Sequence, residues 1–209
     1  MLKSLRTMLC AMLCVVLLSS AALACTVVAV GKDASADGSA MITHNDDSRV
    51  ANTRLFIVPE ADWPEGSMRS VVKDAHGYEG DGQVIGEIPQ VPHTFRYFFS
   101  RYSFMNEKGV AISESTNSVD VTDERSAKVK QIMVKDAVGM MDAWILQDIM
   151  LERASTAREA VEIMGKLVEE YGWFDAGETM PLTDGNEVWI AEFYGNKIWA
   201  AWRMPDDHI

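Results

Sequence analysis

Cysteine is scarce in this chain of 209 residues, which contains three. Cys10 and Cys14 lie in an N-terminal segment that we expect to be removed, so Cys25 is the one thiol that remains. A single thiol cannot form an intramolecular disulfide, which excludes the small exported domains that disulfides hold together. An exported protein that keeps one unpaired thiol needs a role or a cap for it, so Cys25 is the first candidate functional residue.

Basic residues are also in the minority. The chain has 19 Lys and Arg against 31 Asp and Glu, which gives a formal net charge of −12. Loss of Lys3 and Arg6 with the N-terminal segment changes this charge to −14. Such an acidic surface repels phosphate groups, which argues against nucleic acid or an anionic membrane as a partner. The chain has no internal repeat and no low-complexity tract, and its length suits one domain.

No hydrophobic run is long enough to cross a membrane. The apolar stretch at residues 8–18 is too short for a transmembrane helix, so we predict no transmembrane span. Lys3 and Arg6 precede this stretch, and the small-residue pattern Ala-Leu-Ala follows it at residues 22–24. This order is typical of a secretory signal peptide, so we assign residues 1–24 to the leader and residues 25–209 to one domain. We therefore expect export to the periplasm, the cell surface or the medium.

Three interpretations of Cys25 remain open. It is an incidental small residue after the leader, the lipid-bearing cysteine of a lipoprotein, or a catalytic nucleophile. A lipoprotein signal usually has Leu three residues before the cysteine, whereas here Ala22 holds that place and Leu23 comes one position later. If the leader is cleaved after residue 24, Cys25 carries a thiol and a free α-amine together, the minimal equipment of an N-terminal nucleophile hydrolase.

The two groups of such a residue suit each other chemically. A free thiol has a pKa of about 8.5 and a free α-amine one of about 7.7–8.0, so the amine can act as the base for the thiol. The thiolate attacks a carbonyl carbon and forms a thioester acyl-enzyme, which water then hydrolyses. Amide groups that donate to the oxyanion lower the barrier of both steps.

The residue patterns predict an α+β fold, with strands first, two helices next and strands again at the end. Short apolar and β-branched segments at residues 26–31 and 40–45 predict a hairpin, and residues 54–59 predict a third strand. Residues 60–93 are rich in Gly, Pro and Asp and predict long loops with one strand near residues 71–72. Residues 97–105 and 110–113 predict a further strand pair.

The helices are predicted from apolar residues at helical spacing over residues 135–154 and 157–171. Thr156 and Glu159 fit a capping box at the start of the second helix, and Gly172 fits its end. Residues 187–194 and 197–203 predict a final hairpin with a two-residue Gly-Asn turn.

An ordered set of motifs resembles one known family. The set consists of Cys-Thr at residues 25–26, a turn-rich segment at 31–39, His-Asn-Asp-Asp at 44–47, and segments 106–116, 151–160, 187–189 and 199–207. In this order, over nearly all of the chain after the leader, they resemble the cysteine-type dipeptidases of the N-terminal nucleophile hydrolase superfamily. The resemblance implies an exported dipeptidase with a short peptide as its substrate. It also implies a four-layer α-β-β-α sandwich with the nucleophile at the end of a central strand.

Members of the resembled family are longer than this chain. We therefore expect an N-terminal portion of a longer member, with a sandwich that is incomplete at its C-terminus and without a later asparagine that helps to hold the oxyanion. The resemblance also implies that residues 62–93 help to wall a small pocket, which admits short peptides and excludes proteins.

Two further residues complete the expected site. Asp47 is expected to accept from the α-ammonium group of Cys25 and to orient it, and the resemblance favours Asp47 over Asp46; alternatively, both are turn residues. Asn117 follows a predicted strand and is either an oxyanion donor or an ordinary loop asparagine.

The histidines give no metal-binding pattern. His44 lies beside polar residues, but His76 and His93 have no ligand spacing with it, so we predict neither a metal nor another cofactor. The spacing likewise gives no papain-like pair of cysteine and histidine.

Two other functions stay open at this point, as does the oligomeric state. One is an acidic binding domain, secreted or lipid-anchored, in which Cys25 is only an attachment point. The other is a different C–N amidohydrolase of the same superfamily.

Overall fold

The computed structural model describes residues 25–46, 54–73 and 82–209, which form an α+β fold as predicted. The strands, in chain order, are β1 Thr26–Val30, β2 Met41–Asn45, β3 Phe56–Val58, β4 Ala61–Asp62, β5 Met68–Lys73, β6 Gln83–Pro89, β7 His93–Thr94, β8 Tyr97–Phe99, β9 Met105–Asn106, β10 Ala111–Ile112, β11 Ser115–Asn117, β12 Gly177–Thr183, β13 Val188–Tyr194 and β14 Ile198–Arg203. The helices are α1 Glu124–Lys130, which continues into a π-helical turn at Gln131–Lys135, α2 Ala143–Arg153 and α3 Ala157–Tyr171.

The largest sheet among the described residues is antiparallel. Its strand order is β14-β13-β12-β10-β9-β8-β3, and β11 also pairs with β12. Residues that stand directly opposite each other in an antiparallel pair point to the same face of the sheet. The register between β12 and β13 therefore shows which of their residues share the face that packs against the helices.

Helices α2 and α3 cover one face of this sheet. On that face Met180 of β12 and Phe193 of β13 are fully buried, and both belong to the core cluster that includes Met164 and Val168 of α3. Trp199 of β14 stands opposite Phe193 and packs onto Gly165 of α3, where a larger side chain would collide with its ring. Burial of each such large apolar side chain stabilises the fold by about 1.5–3 kcal/mol.

The β1–β2 hairpin lies on the other face of the large sheet. Ser115 stands opposite Thr179, and Thr179 and Thr183 of β12 point away from the helices because they alternate with the buried Met180. The hydroxyl of Ser115 donates to the carbonyl of Cys25 at 3.3 Å. The hydroxyl of Thr183 is 3.4 Å from the carbonyl of Ala40. The hairpin is therefore held against the sheet near both of its ends.

The turn of the hairpin is fixed by the last residues of the described chain. The backbone N–H of Gly31 donates to the carbonyl of His208 and that of Asp33 to the carbonyl of Asp206, each at 2.9 Å. The ammonium group of Lys32 lies 3.2 Å from the carboxylate of Asp206. Gly31 approaches the backbone of Asp206 so closely that a Cβ atom would not fit.

Both predicted hairpins are confirmed, with one correction. The first hairpin consists of β1 and β2 and the last one of β13 and β14. The last turn was predicted with two residues and has three, Gly195 to Lys197, because Tyr194 pairs with Ile198. Asn196 adopts the left-handed conformation that this turn requires, with φ of 67°.

The first predicted helix is wrong in its bounds. Residues 135–154 were expected to be helical, but α2 begins only at Ala143, where the carboxylate of Asp142 caps it by accepting from the N–H of Ile145. The second helix is confirmed: Thr156 accepts from the N–H of Glu159, and Gly172 ends the helix with φ of 76°. The carboxylate of Glu159 reaches the N–H of Ser155 rather than that of the capping residue.

Two further expectations about strands are wrong. Residues 60–93 were predicted as long loops with one strand near residues 71–72; β5 confirms that strand, but its antiparallel partner β6, paired over six positions, was not predicted. Strand β12 was not predicted at all, although it joins β10, β11 and β13. Its sequence contains Gly177 and Pro181, which usually argue against an inner strand.

Among the described residues, no helix combines the length and the apolar character that a membrane crossing requires.

Candidate active site

Cys25 directly precedes β1, and strand alternation decides which side chains lie beside it. In the hairpin Thr26 pairs with Asn45, so Cys25 stands opposite Asp46. Because successive side chains point to opposite faces, Cys25, His44 and Asp46 share one face. The residues on this face are half-buried against the large sheet, whereas their neighbours on the outer face are exposed.

The large sheet contributes a buried carboxylate to the same place. Glu114 lies between β10 and β11 and is 0% exposed. Its Oε1 is 3.2 Å from Nε2 of His44. Cys25, His44 and Glu114 each offer one potential ligand atom, and these three atoms lie within 4.8 Å of one another. The thiol, the imidazole and the carboxylate thus form one cluster, which we call the Cys25–His44–Glu114 cluster.

A second carboxyl group, that of Glu178, lies next to Glu114. Burial raises the pKa of Glu178 to about 10, and the neighbouring Glu114 adds to this effect. Burial works in the same direction on Glu114, but hydrogen bonds from His44 and Glu178 outweigh it and lower the pKa of Glu114. The two carboxyl groups therefore share one proton at neutral pH, and the opposite directions of the two shifts favour Glu178 as its holder. The hydroxyl of Thr116 donates to Oε1 of Glu178 at 2.9 Å and fixes its orientation.

Asp46 borders the thiol on the other side. Its Oδ1 is 3.9 Å from Sγ of Cys25, and its Oδ2 is 3.5 Å from Nε of Arg101. Burial raises the pKa of Asp46, while the positive charge of Arg101 opposes this rise. The guanidinium group of Arg101 stacks over the rings of Tyr102 and Trp144 at 5.4 and 5.1 Å, which holds it in place.

A cleft opens beside His44. Its volume is about 250 Å³, and it is lined by residues of β2, of the segment before β9, and of β10 and its C-terminal end. Tyr102 contributes one wall, and its ring meets that of His44 edge-to-face with centroids 5.6 Å apart. Burial raises the pKa of Tyr102, and the nearby carboxylates of Glu114 and Asp46 raise it further. Tyr102 therefore stays protonated at neutral pH.

The described part of residues 62–93 lines a different cleft. Strand β5 and α2 enclose about 390 Å³, and a buried ion pair between Arg69 and Glu152 lies in its wall. The expectation that residues 62–93 wall the pocket beside Cys25 therefore stays a prediction.

The predicted site residues are placed as follows. Cys25 lies in the cluster. Asp47 falls outside the described residues, and its neighbour Asp46 is the aspartate beside the thiol. Asn117 ends β11, and its amide group donates to the hydroxyl of Thr179 at 2.8 Å, so its role at an oxyanion stays a prediction.

Of the described histidines, His93 and His208 lie outside this cluster. His93 lies on the β4–β7 ribbon, where its Nδ1 is 2.7 Å from the carboxylate of Asp62. His76 falls outside the described residues. Within the described ranges, Cys25, His44 and Glu114 are the one group of three that could hold a metal ion.

Sequence reasoning missed Glu114, Glu178 and Arg101. His44 could have been found from the sequence. If the predicted strands at residues 26–31 and 40–45 are paired end to end and the pairing is extended to Cys25, His44 lies on the same face of the hairpin as Cys25. No such signal exists for Glu114, because the contact joins two sheets that are distant along the chain.

Comparison with known proteins identifies the family of the chain. The sequence profile of the family described as "Peptidase family C69" matches residues 24–209. The chain belongs to peptidase family C69. The resemblance to cysteine-type dipeptidases is thereby confirmed.

Individual relatives carry dipeptidase names. The chain is 31% identical to "Dipeptidase" from Bifidobacterium longum (strain NCC 2705) over 199 residues, which covers 88% of this chain and 36% of that protein. It is 30% identical to "Probable dipeptidase B" from Lactococcus lactis subsp. lactis (strain IL1403) over 192 residues, with 88% and 37% covered. It is 29% identical to "Probable dipeptidase" from Latilactobacillus sakei, with 88% and 38% covered. The C69 chain described here thus spans 36–38% of the length of these curated relatives.

Proposed function

We propose that the whole protein is an exported dipeptidase in which Cys25 is an N-terminal nucleophile. The observation that carries this proposal is the position of Cys25. It lies directly after the predicted cleavage point, and its thiol lies among Asp46, His44 and Glu114 where the two sheets meet. Membership in C69 and the dipeptidase names of the relatives support the choice of substrate.

The reaction proceeds in two steps. The α-amine of processed Cys25 takes the thiol proton, and Sγ attacks the carbonyl carbon of the peptide bond. The proton then passes to the leaving nitrogen, the C–N bond breaks and the second amino acid departs. Water attacks the remaining thioester and releases the first amino acid, which restores the thiol.

Charges near the thiol suit this sequence of steps. The carboxylate of Asp46 lies 3.9 Å from Sγ, within reach of an α-ammonium group on the same residue. We assign the orientation of that group to Asp46, while Asp47 remains a second candidate from the sequence. Arg101 balances the charge of Asp46 and keeps its carboxylate directed toward the cluster.

The layer arrangement supports an N-terminal nucleophile hydrolase sandwich for the whole protein. Helices α2 and α3, the large sheet and the β1–β2 hairpin are stacked in that order in the described residues. This order is the one expected for the first three layers of an α-β-β-α sandwich, and it supports the proposal that Cys25 ends a strand between two sheets in the whole protein.

The proposal is tested by replacement of the nucleophile in the full-length protein, purified after export. Intact-mass analysis first establishes that the chain begins at Cys25, and release of amino acids from a panel of dipeptides is then measured. We expect Cys25→Ala to lower kcat at least about 10⁴-fold, as removal of a nucleophile does in other hydrolases, and Cys25→Ser to keep a trace of activity.

Val28→Ala serves as the matched control, because Val28 lies on the outer face of the same strand and is 42% exposed. Val28→Ala should keep full activity. Neither the unaltered protein nor Val28→Ala should digest casein. Full turnover by Cys25→Ala would refute the assignment of the nucleophile. A diacylglyceryl mass on Cys25 without hydrolysis would favour the lipid-anchored binding domain.

A further inference from the structure

The Cys25–His44–Glu114 cluster combines three kinds of donor atom that are typical of one class of metal ion. A sulfur, an imidazole nitrogen and a carboxylate oxygen lie within 4.8 Å of one another, and the nitrogen and the oxygen are 3.2 Å apart. Zinc binds such atoms at about 2.0–2.3 Å, which in a tetrahedral site places the donor atoms about 3.4–3.6 Å apart. Small side-chain movements are therefore enough to close the three donors around one ion.

Each donor lies in a strand or directly beside one. The carbonyl of Cys25 accepts from the hydroxyl of Ser115, and the ring of His44 packs against that of Tyr102. Glu114 is 0% exposed, and its carboxylate points toward His44 from the large sheet.

The chemistry of the donors selects among cations. Calcium and magnesium prefer oxygen atoms alone and take six or more of them. A thiolate with an imidazole and a carboxylate suits zinc and its neighbours in the transition series. A thiolate and a carboxylate together also balance the double charge of such an ion.

We propose that this cluster binds one divalent transition-metal ion of the zinc class and that the bound ion inhibits the enzyme. Binding releases the thiol proton to solvent and forms a metal–sulfur bond, so that Sγ can no longer attack a carbonyl group. The three protein ligands leave a fourth position open to water. The inhibitory half of this inference rests on the proposed function, whereas the binding half does not.

Cobalt(II) is the probe that tests the binding half, because a cobalt–thiolate bond absorbs in the near ultraviolet. The metal-free, full-length processed protein is titrated with cobalt. We expect one equivalent to bind with this absorption and zinc to displace it. The absorption should be lost in Cys25→Ser, and cobalt affinity should fall at least about 10-fold in His44→Ala and in Glu114→Gln.

His93→Ala is the matched control, since His93 is an exposed histidine paired with Asp62 on another ribbon. It should bind cobalt as the unaltered protein does. Cobalt binding without the sulfur absorption, or unchanged affinity in both His44→Ala and Glu114→Gln, would overturn the site. If Glu114→Gln fails to fold, His44→Ala decides alone, because His44 is not part of the buried core.

Two activity measurements separate this inference from the proposed function. Zinc should stop dipeptide hydrolysis and protect Cys25 from iodoacetamide, and a chelator should reverse both effects. Full hydrolysis at saturating zinc would overturn the inhibitory half. Cobalt binding with the sulfur absorption in a protein that hydrolyses no dipeptide would refute the proposed function and uphold the metal site.

Discussion

At the scale of single residues, the surroundings of Cys25 combine atoms from three distant parts of the chain. His44 lies in the second strand of the hairpin and Asp46 directly follows that strand, whereas Glu114 lies between two strands of the large sheet. Glu178 and Glu114 share a proton, because burial and their mutual proximity raise the pKa of Glu178. The site therefore has defined charges before any substrate binds, which is a condition for efficient catalysis.

The first residue-scale prediction concerns the base. If the α-amine of Cys25 accepts the thiol proton, a methionine left before Cys25 converts that amine into an amide and removes its basicity. We expect kcat for a dipeptide to fall about 10²–10⁴-fold and alkylation of Cys25 by iodoacetamide to slow. Both rates are measured on the extended and the processed protein. Equal rates in the two forms would place the base elsewhere, and His44 would then be tested first, because it belongs to the same cluster.

The second residue-scale prediction concerns Asn106, which is 5% exposed. Its side-chain oxygen accepts from the N–H groups of Lys108 and Val110, and its amide group donates to the carbonyls of Leu151 and Ala154. Asn106→Ala leaves these buried backbone groups without partners, so the free energy of unfolding should fall by about 3 kcal/mol.

Denaturant unfolding of the full-length protein measures this change. The exposed Asn186 provides the control, and Asn186→Ala should change stability by less than about 0.5 kcal/mol. If Asn106→Ala had no larger effect than the control, the link between this turn and the end of α2 would be wrong.

At the scale of elements, the carboxylate of Asp184 ties the turn between β12 and β13 to the start of α3. It accepts from the N–H groups of Ala157, Asn186 and Glu187. Burial raises the pKa of Asp184, but these hydrogen bonds outweigh it and lower the pKa below its ordinary value. The negative charge also lies near the positive end of the helix dipole, which adds to its stabilising effect.

The pH dependence of stability follows from this lowered pKa. The stabilisation by Asp184 is complete above the unfolded-state pKa of about 3.9 and is lost as the pH falls through the lower folded-state value. Asp184→Asn should therefore lower the free energy of unfolding by about 1 kcal/mol at neutral pH, and this difference should shrink in acid. Thermal unfolding from pH 7 downward measures both effects, with Glu65→Gln as the exposed control. If the difference in stability between the unaltered protein and Asp184→Asn stayed constant as the pH falls, the negative charge assigned to Asp184 would be contradicted.

Helices and strands that are marked by neighbouring residues in the sequence were predictable. Strands that depend on pairing with distant strands were not. The hairpin β1–β2 follows from β-branched residues on both sides of a turn, and α3 follows from its cap at Thr156 and its apolar spacing. Strand β12 carries Gly177 and Pro181, and its pairing depends on three strands from elsewhere in the chain. Cys25 was predictable because the leader points to it, whereas Glu114 joins the site only through the contact between two sheets.

At the scale of the whole molecule, the described residues combine helices, a large antiparallel sheet and the β1–β2 hairpin that Cys25 precedes. The chain belongs to family C69, and the curated relatives extend well beyond the matched region, since only 36–38% of their length is covered. The proposed dipeptide hydrolysis, the choice of dipeptides and the predicted contribution of residues 62–93 to a pocket are therefore to be tested on the full-length protein.

The most direct test of the central claim is detection of the acyl-enzyme. The full-length processed protein is mixed with a slowly hydrolysed dipeptide, quenched in acid, and analysed by intact-mass and peptide mass spectrometry. We predict a transient gain equal to one amino-acyl group, attached through a thioester to the N-terminal Cys25 and absent in Cys25→Ala. Continued turnover with no adduct on Cys25, in a protein whose activity survives complete alkylation of that thiol, would contradict the account.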